Sequence, residues 1–339
     1  MKSKSFMALA TVGILAFAGA VLGTSLSEVR IPKQSDWTEH GVVIKSGRSG
    51  SWDTRFYGQV SPCTIVKKNE VFYLYYVGAN GNRSTDGGPK NRALGVATSR
   101  DGIHFTKYSG NPIVTHQPAK NVEEGVFSAG GTIDKNGDTL LYYGAIWAGN
   151  ALTKEVHCNV ALAQSRDAKK FKDHGYVLSW NDRSVWGYGD EIFPLGAYYA
   201  NGKYHVYYVA KGSVGAWKLG VATGSSPEKM TNTRAALTKG QIIGGCDPIF
   251  ISNDKIAIFV VCGFDRNYIE VRRANVNSPE KLSDPIEKYH MFPPRCRHTV
   301  VYLDRQKKKW FMYQATDQAK DGNQIVVRTA PMIPVSEVK

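Results

Sequence analysis

Side chains able to move protons recur along this chain, each just ahead of a short apolar run. They are Asp53, the pair Glu123 and Glu124, the pair Asp190 and Glu191, Asp247, and Arg297 with His298. Carboxyl groups from separate parts of a chain, held facing one another, do acid and base work on one bond when one is protonated and the other ionised. A third carboxylate nearby raises the pKa of the acid by like-charge repulsion. His298 offers an imidazole that can bind substrate, ligate an axial ion or shuttle a proton, and Arg295 and Arg297 offer planar forks that grip a carboxylate or sulfate. Each position also has an ordinary structural reading: Asp247 before Pro248 as a turn cap, the arginines as ion-pair partners, and a lone histidine as a packed side chain.

The elements that must position these groups form an internal repeat. A polar turn precedes an aromatic strand in Phe72-Tyr73-Leu74-Tyr75-Tyr76, in Leu140-Leu141-Tyr142-Tyr143 and in Tyr204-His205-Val206-Tyr207-Tyr208. Two more divergent copies follow, at Ile256-Ala257-Ile258-Phe259-Val260 and Trp310-Phe311-Met312-Tyr313. Each copy has a partner strand, such as Leu94-Gly95-Val96-Ala97-Thr98-Ser99 or Leu219-Gly220-Val221-Ala222-Thr223, and the Asn-Gly and Asn-Asp turns read as hairpins. From Tyr75 through Tyr142, Tyr207, Phe259 and Met312 the spacing is 67, 65, 52 and 53 residues. Units of that length, each unable to bury both faces alone, predict an all-β, five-bladed β-propeller with four-stranded antiparallel blades around a central axis. A β-sandwich does not predict five such hairpins. Polar residues at the start of each innermost strand then converge on one funnel. Asp101 and Asp167, in the repeated Ser-Arg-Asp turns, read as turn residues rather than catalysts.

Residues 1–23 carry Lys2 and Lys4, an apolar run from Phe6 to Leu22 and small residues Ala18, Gly19 and Ala20. That layout predicts a cleaved signal peptide, a secreted or periplasmic product, no membrane contact after cleavage, and residues 24–339 as a single domain. The formal charge of +14 is spread along the chain rather than gathered in one run, and no nucleic-acid motif accompanies it. It reads as solubility or as steering toward an acidic polysaccharide. Cys63, Cys158, Cys246, Cys262 and Cys296 lack CxxC spacing, so neither a zinc site nor a full disulfide framework is expected, and they read mostly as small buried residues.

The segment Gly50-Ser51-Trp52-Asp53 leading to Val60-Ser61-Pro62, the repeated Tyr-Tyr strands, and Leu94 through Phe105 resemble the five-bladed propeller glycosidases. That superfamily includes arabinanase and xylosidase-like enzymes of family 43, invertases and levansucrases, anhydro-galactosidases, and mannoside phosphorylases. The resemblance spans about Trp37 to Ala330 and is to the superfamily rather than to one family. It implies a secreted glycoside hydrolase acting on a plant or algal poly- or oligosaccharide, with Asp53 as base or nucleophile. Glu191 is implied as general acid, since Asp190-Glu191-Ile192-Phe193-Pro194 is similar to the Asp-Glu pair of the invertase group. The second blade departs from the pattern, offering Glu123 and Glu124 where a tuning Asp is expected, and Asp247 is the candidate to replace it. Glu124, Asp190, Arg297 and His298 are expected to contact substrate. Of Trp52, Trp147, Trp186 and Trp217, all near proposed loop or funnel segments, the first three are nominated as stacking platforms. No cofactor is required; the resemblance leaves an axial calcium ion open, although no contiguous acidic loop marks a site for it. The alternatives are a glycoside phosphorylase, with the blade-five Arg and His holding phosphate, and a non-catalytic glycan-binding propeller.

Overall fold

A computed structural model describes residues 25–48, 50–54, 60–79, 92–115, 125–148, 156–187, 189, 191–211, 217–240, 242–263, 268–290, 298–316 and 324–338. The proposed signal segment 1–23 lies outside the described residues.

The first strand, β1 (Thr38–Lys45), is followed by blade one: β2 (Ser61–Lys68), β3 (Val71–Gly78), β4 (Ala93–Ser99) and β5 (Thr106–Lys107), with short β6 (Val114–Thr115) also on β4. Blade two is β7 (Gly125–Ile133), β8 (Thr139–Ala148), β9 (Val156–Ser165) and β10 (Lys172–Leu178). Blade three is β11 (Glu191–Ala200), β12 (Lys203–Lys211), β13 (Trp217–Gly224) and β14 (Asn232–Leu237). Blade four is β15 (Ile242–Phe250), β16 (Lys255–Cys262), β17 (Tyr268–Asn275) and β18 (Glu287–His290). Blade five is β19 (Thr299–Asp304), β20 (Lys309–Thr316) and β21 (Gln324–Pro331), with β1 as its outer strand. The five inner strands β2, β7, β11, β15 and β19 touch one another in cyclic order, so the ring closes, and β1 on β21 ties the two ends of the chain together.

Five buried apolar clusters fill the five spaces between neighbouring blades. Side chains on a strand alternate in direction, so each Tyr-Tyr pair serves two of those spaces: Tyr75 faces blade two and Tyr76 faces blade five. The tyrosines pointing to the next blade donate to a carbonyl in its turn region between third and outer strands. Tyr75 reaches Ala168 O at 2.9 Å, Tyr142 reaches Pro227 O at 3.3 Å, Tyr207 reaches Pro279 O at 2.7 Å, and Tyr313 reaches Gly102 O at 2.8 Å. Blade four has Phe259 at this place, facing blade five. A hydroxyl there has no such turn to meet, because the outer strand of blade five arrives from the start of the chain. Each such bond contributes about 1 kcal/mol net, so the repeated aromatic strand holds blades together rather than doing chemistry.

The repeated turn acids behave as the sequence suggests. Asp101 accepts from the backbone of Ile103 and His104, and Asp167 from Lys169 and Lys170. Among the described cysteines, Cys158 and Cys262 are buried, Cys63 is half-buried, and all three are free thiols.

Candidate active site

The starts of the inner strands gather at one end of the axis and form a mouth. Across the top of blade three, Glu191 pairs with Lys211, and Lys211 pairs with Trp217. Cross-strand partners share a face, so a carboxylate, an ammonium and an indole stand side by side in one row. The Lys211 Nζ is 3.6 Å from Glu191 Oε1 and 5.8 Å from the centre of the Trp217 ring. Phe193, two residues beyond Glu191, meets Trp217 at 5.3 Å between ring centres and Phe127 of blade two at 4.6 Å. Phe127 in turn meets the His298 ring of blade five at 6.2 Å, edge to face. Rings from blades two, three and five thus form an aromatic floor under the mouth. The Ser128 hydroxyl ties the floor together by donating to Pro194 O at 2.8 Å.

Arg92 reaches this floor through a backbone contact that requires glycine. Gly125 has φ +81°, and a Cβ there would lie 2.0 Å from Arg92 O. Without that side chain the two backbones bridge, and Val126 N donates to Arg92 O at 3.0 Å. The buried Arg92 guanidinium then sits 5.2 Å over the Phe127 ring. Cys158, paired with Glu191 across the strands, feels both charges: burial pushes its thiol up, Glu191 adds to the rise, and Arg92 opposes it.

Asp53 and Trp52 lie elsewhere. Trp52 packs across Tyr76 and Gly95, a cross-strand pair of blade one, with 5.6 Å between the Trp52 and Tyr76 rings; a Cβ on Gly95 would come within 2.6 Å of the indole. Trp186 repeats this seat on Tyr208 and Gly220 of blade three, where Tyr208 also donates to Trp186 O at 2.9 Å. The following residue also matches: Asp53 sits against Gly78 and Gly187 against Ala210, each two positions beyond the tyrosine. Position 53 is therefore a packing position of the repeat, over the second and third strands rather than on the axis. Its carboxylate, 3% exposed, accepts from Ser51 Oγ at 3.0 Å, from the Tyr76 hydroxyl at 3.3 Å, and from Lys107 Nζ of outer strand β5 at 2.5 Å. Trp52 and Trp186, two of the three tryptophans nominated as platforms, are held in the same way, as half-buried wedges between blades.

Asp247 lies below the floor. Its Oδ2 accepts from Val301 N of β19 at 2.8 Å, and burial pushes its carboxyl well above the usual carboxylate range against the pull of that bond. It lines a cavity of about 720 Å³ at the far end of the axis, with Thr64, Gly131 and Ala197. Of the three carboxyls, Glu191 stands in the blade-three row, Asp53 is paired with Lys107 over blade one, and Asp247 is bonded to β19.

Glu124, Asp190 and Arg297 lie outside the described residues, as does the side chain of Trp147. His298 is described and stands at the mouth. Arg92, Phe127, Phe193, Lys211 and Trp217 are not among the site residues that the sequence predicts. Lys211 and Trp217 carry a readable signal, because β12 ends at Lys211 opposite Glu191 and β13 begins at Trp217 opposite Lys211. Arg92 carries none. Among the described residues, no group of three or more His, Cys, Asp or Glu gathers to hold a metal.

No family model and no curated protein matches the chain. Solved structures do. One is Zg3597, a family 117 glycoside hydrolase produced by the marine bacterium Zobellia galactanivorans, at TM-score 0.65 and 17% identity, over 90% of this chain and 92% of that one. Another comes from the family 130 mannoside phosphorylases, which contain glycoside hydrolases that target β-1,2 mannosidic linkages in Candida mannan. It matches at TM-score 0.60 and 15% identity, over 91% and 96% of the two chains. A glycosyl hydrolase from Bacteroides ovatus matches at TM-score 0.57 and 15% identity, over 91% and 100%. The fold is that of the propeller glycosidases. At these identities the likeness is one of fold alone.

Proposed function

We propose that this protein is an exported glycoside hydrolase that cleaves a plant or algal poly- or oligosaccharide at the mouth of its propeller. The observation that carries the reading is the row Glu191, Lys211 and Trp217 beside the floor of Phe127, Phe193 and His298. A flat indole and a carboxylate on one face suit a sugar ring whose C–H surface stacks while its glycosidic oxygen meets the polar group. Hydrolysis needs one group to protonate the departing oxygen and another to activate water or attack.

The structure favours a different division of roles from the sequence expectation. An ammonium 3.6 Å from Glu191 favours its ionised form, which suits a base or nucleophile better than an acid. His298, presented from blade five across the floor, supplies the proton to the leaving oxygen. Lys211 and Trp217 orient the sugar, and Arg92 braces the floor from below. Export rests on the leader-like residues 1–23. A non-catalytic glycan-binding propeller is the second reading, favoured by the pairing of Asp53 with Lys107, which occupies the carboxylate expected as base.

The test is a product screen of the purified mature protein on neutral and anionic plant and algal glycans, beside Glu191→Gln and His298→Gln. Sugar released by the wild type and by neither variant supports hydrolysis at the mouth. Binding to the glycans without release, unchanged in Glu191→Gln, supports the binding module instead.

A further inference from the structure

The end of the propeller opposite the mouth carries a charge pattern with its own consequence. Here hairpin turns join the inner strands to the second strands, and in blades five, one and two they are stitched into one arc. Lys67 Nζ of blade one bonds to Asp304 at 3.0 Å and Gln306 at 2.7 Å in the blade-five turn, and to Glu70 at 2.9 Å in its own turn. Lys68 Nζ reaches into blade two, donating to Gly137 O at 2.6 Å and to Arg166 O. Four turns, 67–70, 134–138, 166–170 and 304–309, thus make a continuous surface.

Turn chemistry separates the signs on this surface. Asp134 and Asp304, at 3% and 2% exposure, are drawn inward to accept backbone N–H groups of Asn136 and Asp138, and of Gln306 and Lys307. The cations are left outside. Lys135, Arg166, Lys170, Lys307, Lys308 and Lys309 are exposed on the arc, against only Glu70 and Asp167 as exposed carboxylates. Clustered charge of one sign raises the local concentration of opposite polyions.

We propose that this arc is a second, non-catalytic binding face for an anionic polysaccharide, carboxylated or sulfated. Three features of the arc choose that partner. Its cations are interleaved with the amides of Asn69, Asn136 and Gln306, which match the hydroxyls of a sugar chain. None of the exposed large hydrophobic side chains, Val42, Tyr176, Ile286, Val335 and Val338, lies on it, so it has no apolar wedge for a bilayer. It presents no exposed aromatic ring on which bases stack. Because the arc and the mouth occupy opposite ends of the axis, the face holds the protein on a polymer without blocking the mouth.

The experiment is retardation in native gels cast with polygalacturonate or dextran sulfate, with neutral dextran as blank, across a salt series. Parallel arms use duplex DNA and phosphatidylglycerol-containing vesicles. The wild type is expected to be retarded by both anionic polysaccharides and not by dextran, and to be released by salt. Lys135→Glu, Lys170→Glu, Lys307→Glu and Lys309→Glu combined should weaken retardation by roughly tenfold or more. The corresponding four Lys→Gln changes, made with a melting curve alongside, give the same direction without reversing charge. Absence of retardation overturns the proposal, as does equal retardation of the charge-changed variants, or binding to DNA or vesicles stronger than to the polysaccharides. Retardation is read without turnover, so its failure is distinct from failure of the hydrolase reading.

Discussion

Replacing Asp53 by Asn separates two roles that the sequence alone leaves open. The carboxylate is 3% exposed and its ion-pair partner Lys107 has a side chain 34% exposed, with Ser51 and Tyr76 as further donors. Breaking a fully buried pair by removing one partner costs about 3–5 kcal/mol. Solvent reaching Lys107 reduces this, and the amide oxygen keeps the neutral hydrogen bonds, leaving a loss of about 2–3 kcal/mol. In a chain this long that corresponds to a fall in melting temperature of roughly 3–5 °C. Lys107→Met alone should also destabilise, and adding it to Asp53→Asn should cost less than the sum of the two single losses. The assay is calorimetric melting of the four proteins, with turnover measured on any glycan that the wild type cleaves. If Asp53→Asn melts with the wild type while turnover collapses by about a thousandfold or more, the structural reading of Asp53 is wrong and it belongs to the chemistry.

Other outcomes follow from the same framework. Tyr75→Phe and Tyr207→Phe should each cost about 1–2 kcal/mol in urea unfolding, the loss of one interblade bond and the stranding of a carbonyl, whereas Phe259→Tyr should bring no gain. His205 is 4% exposed, stacked on Tyr198 at 4.4 Å and bonded to Thr223, and burial, assisted by Lys203, lowers its pKa to about 4. The unfolded chain takes up a proton below about pH 6.5 and the folded one does not, so stability should fall as pH drops from 6.5 toward 4, by at most about 3 kcal/mol. His205→Gln should flatten that part of the stability–pH curve. If hydrolysis is found, His298→Gln should remove the alkaline limb of the pH–rate profile, as loss of a proton donor requires.

The blades were readable because their aromatic strands repeat for a local reason. Tyr75, Tyr142 and Tyr207 must each face a neighbouring blade and reach a turn carbonyl, so the same residues recur at the same offsets. The closure by β1 was not readable, since Thr38–Lys45 has no hairpin partner nearby and pairs with β21 at the far end of the chain. The site was partly readable. Glu191 and His298 stand at strand starts, where a propeller converges, and both fall at the mouth. Trp52 and Trp186 read as platforms because an indole beside a strand start suits either role, and only the Tyr–Gly seat beneath each decides. Asp53 misleads for the same reason: its partner Lys107 is 54 residues away on an outer strand. Arg92 needed the close pass at Gly125, a contact between two blades that no local pattern encodes.

The most direct test of a glycan-cleaving mouth compares sugar release by the wild type and by Glu191→Gln on the same oligosaccharides, with melting curves of both. The expected result is release by the wild type and a loss of about a thousandfold or more in the variant, with melting temperatures within a few degrees. Release that survives in Glu191→Gln would contradict it, and would move the chemistry away from the row on blade three.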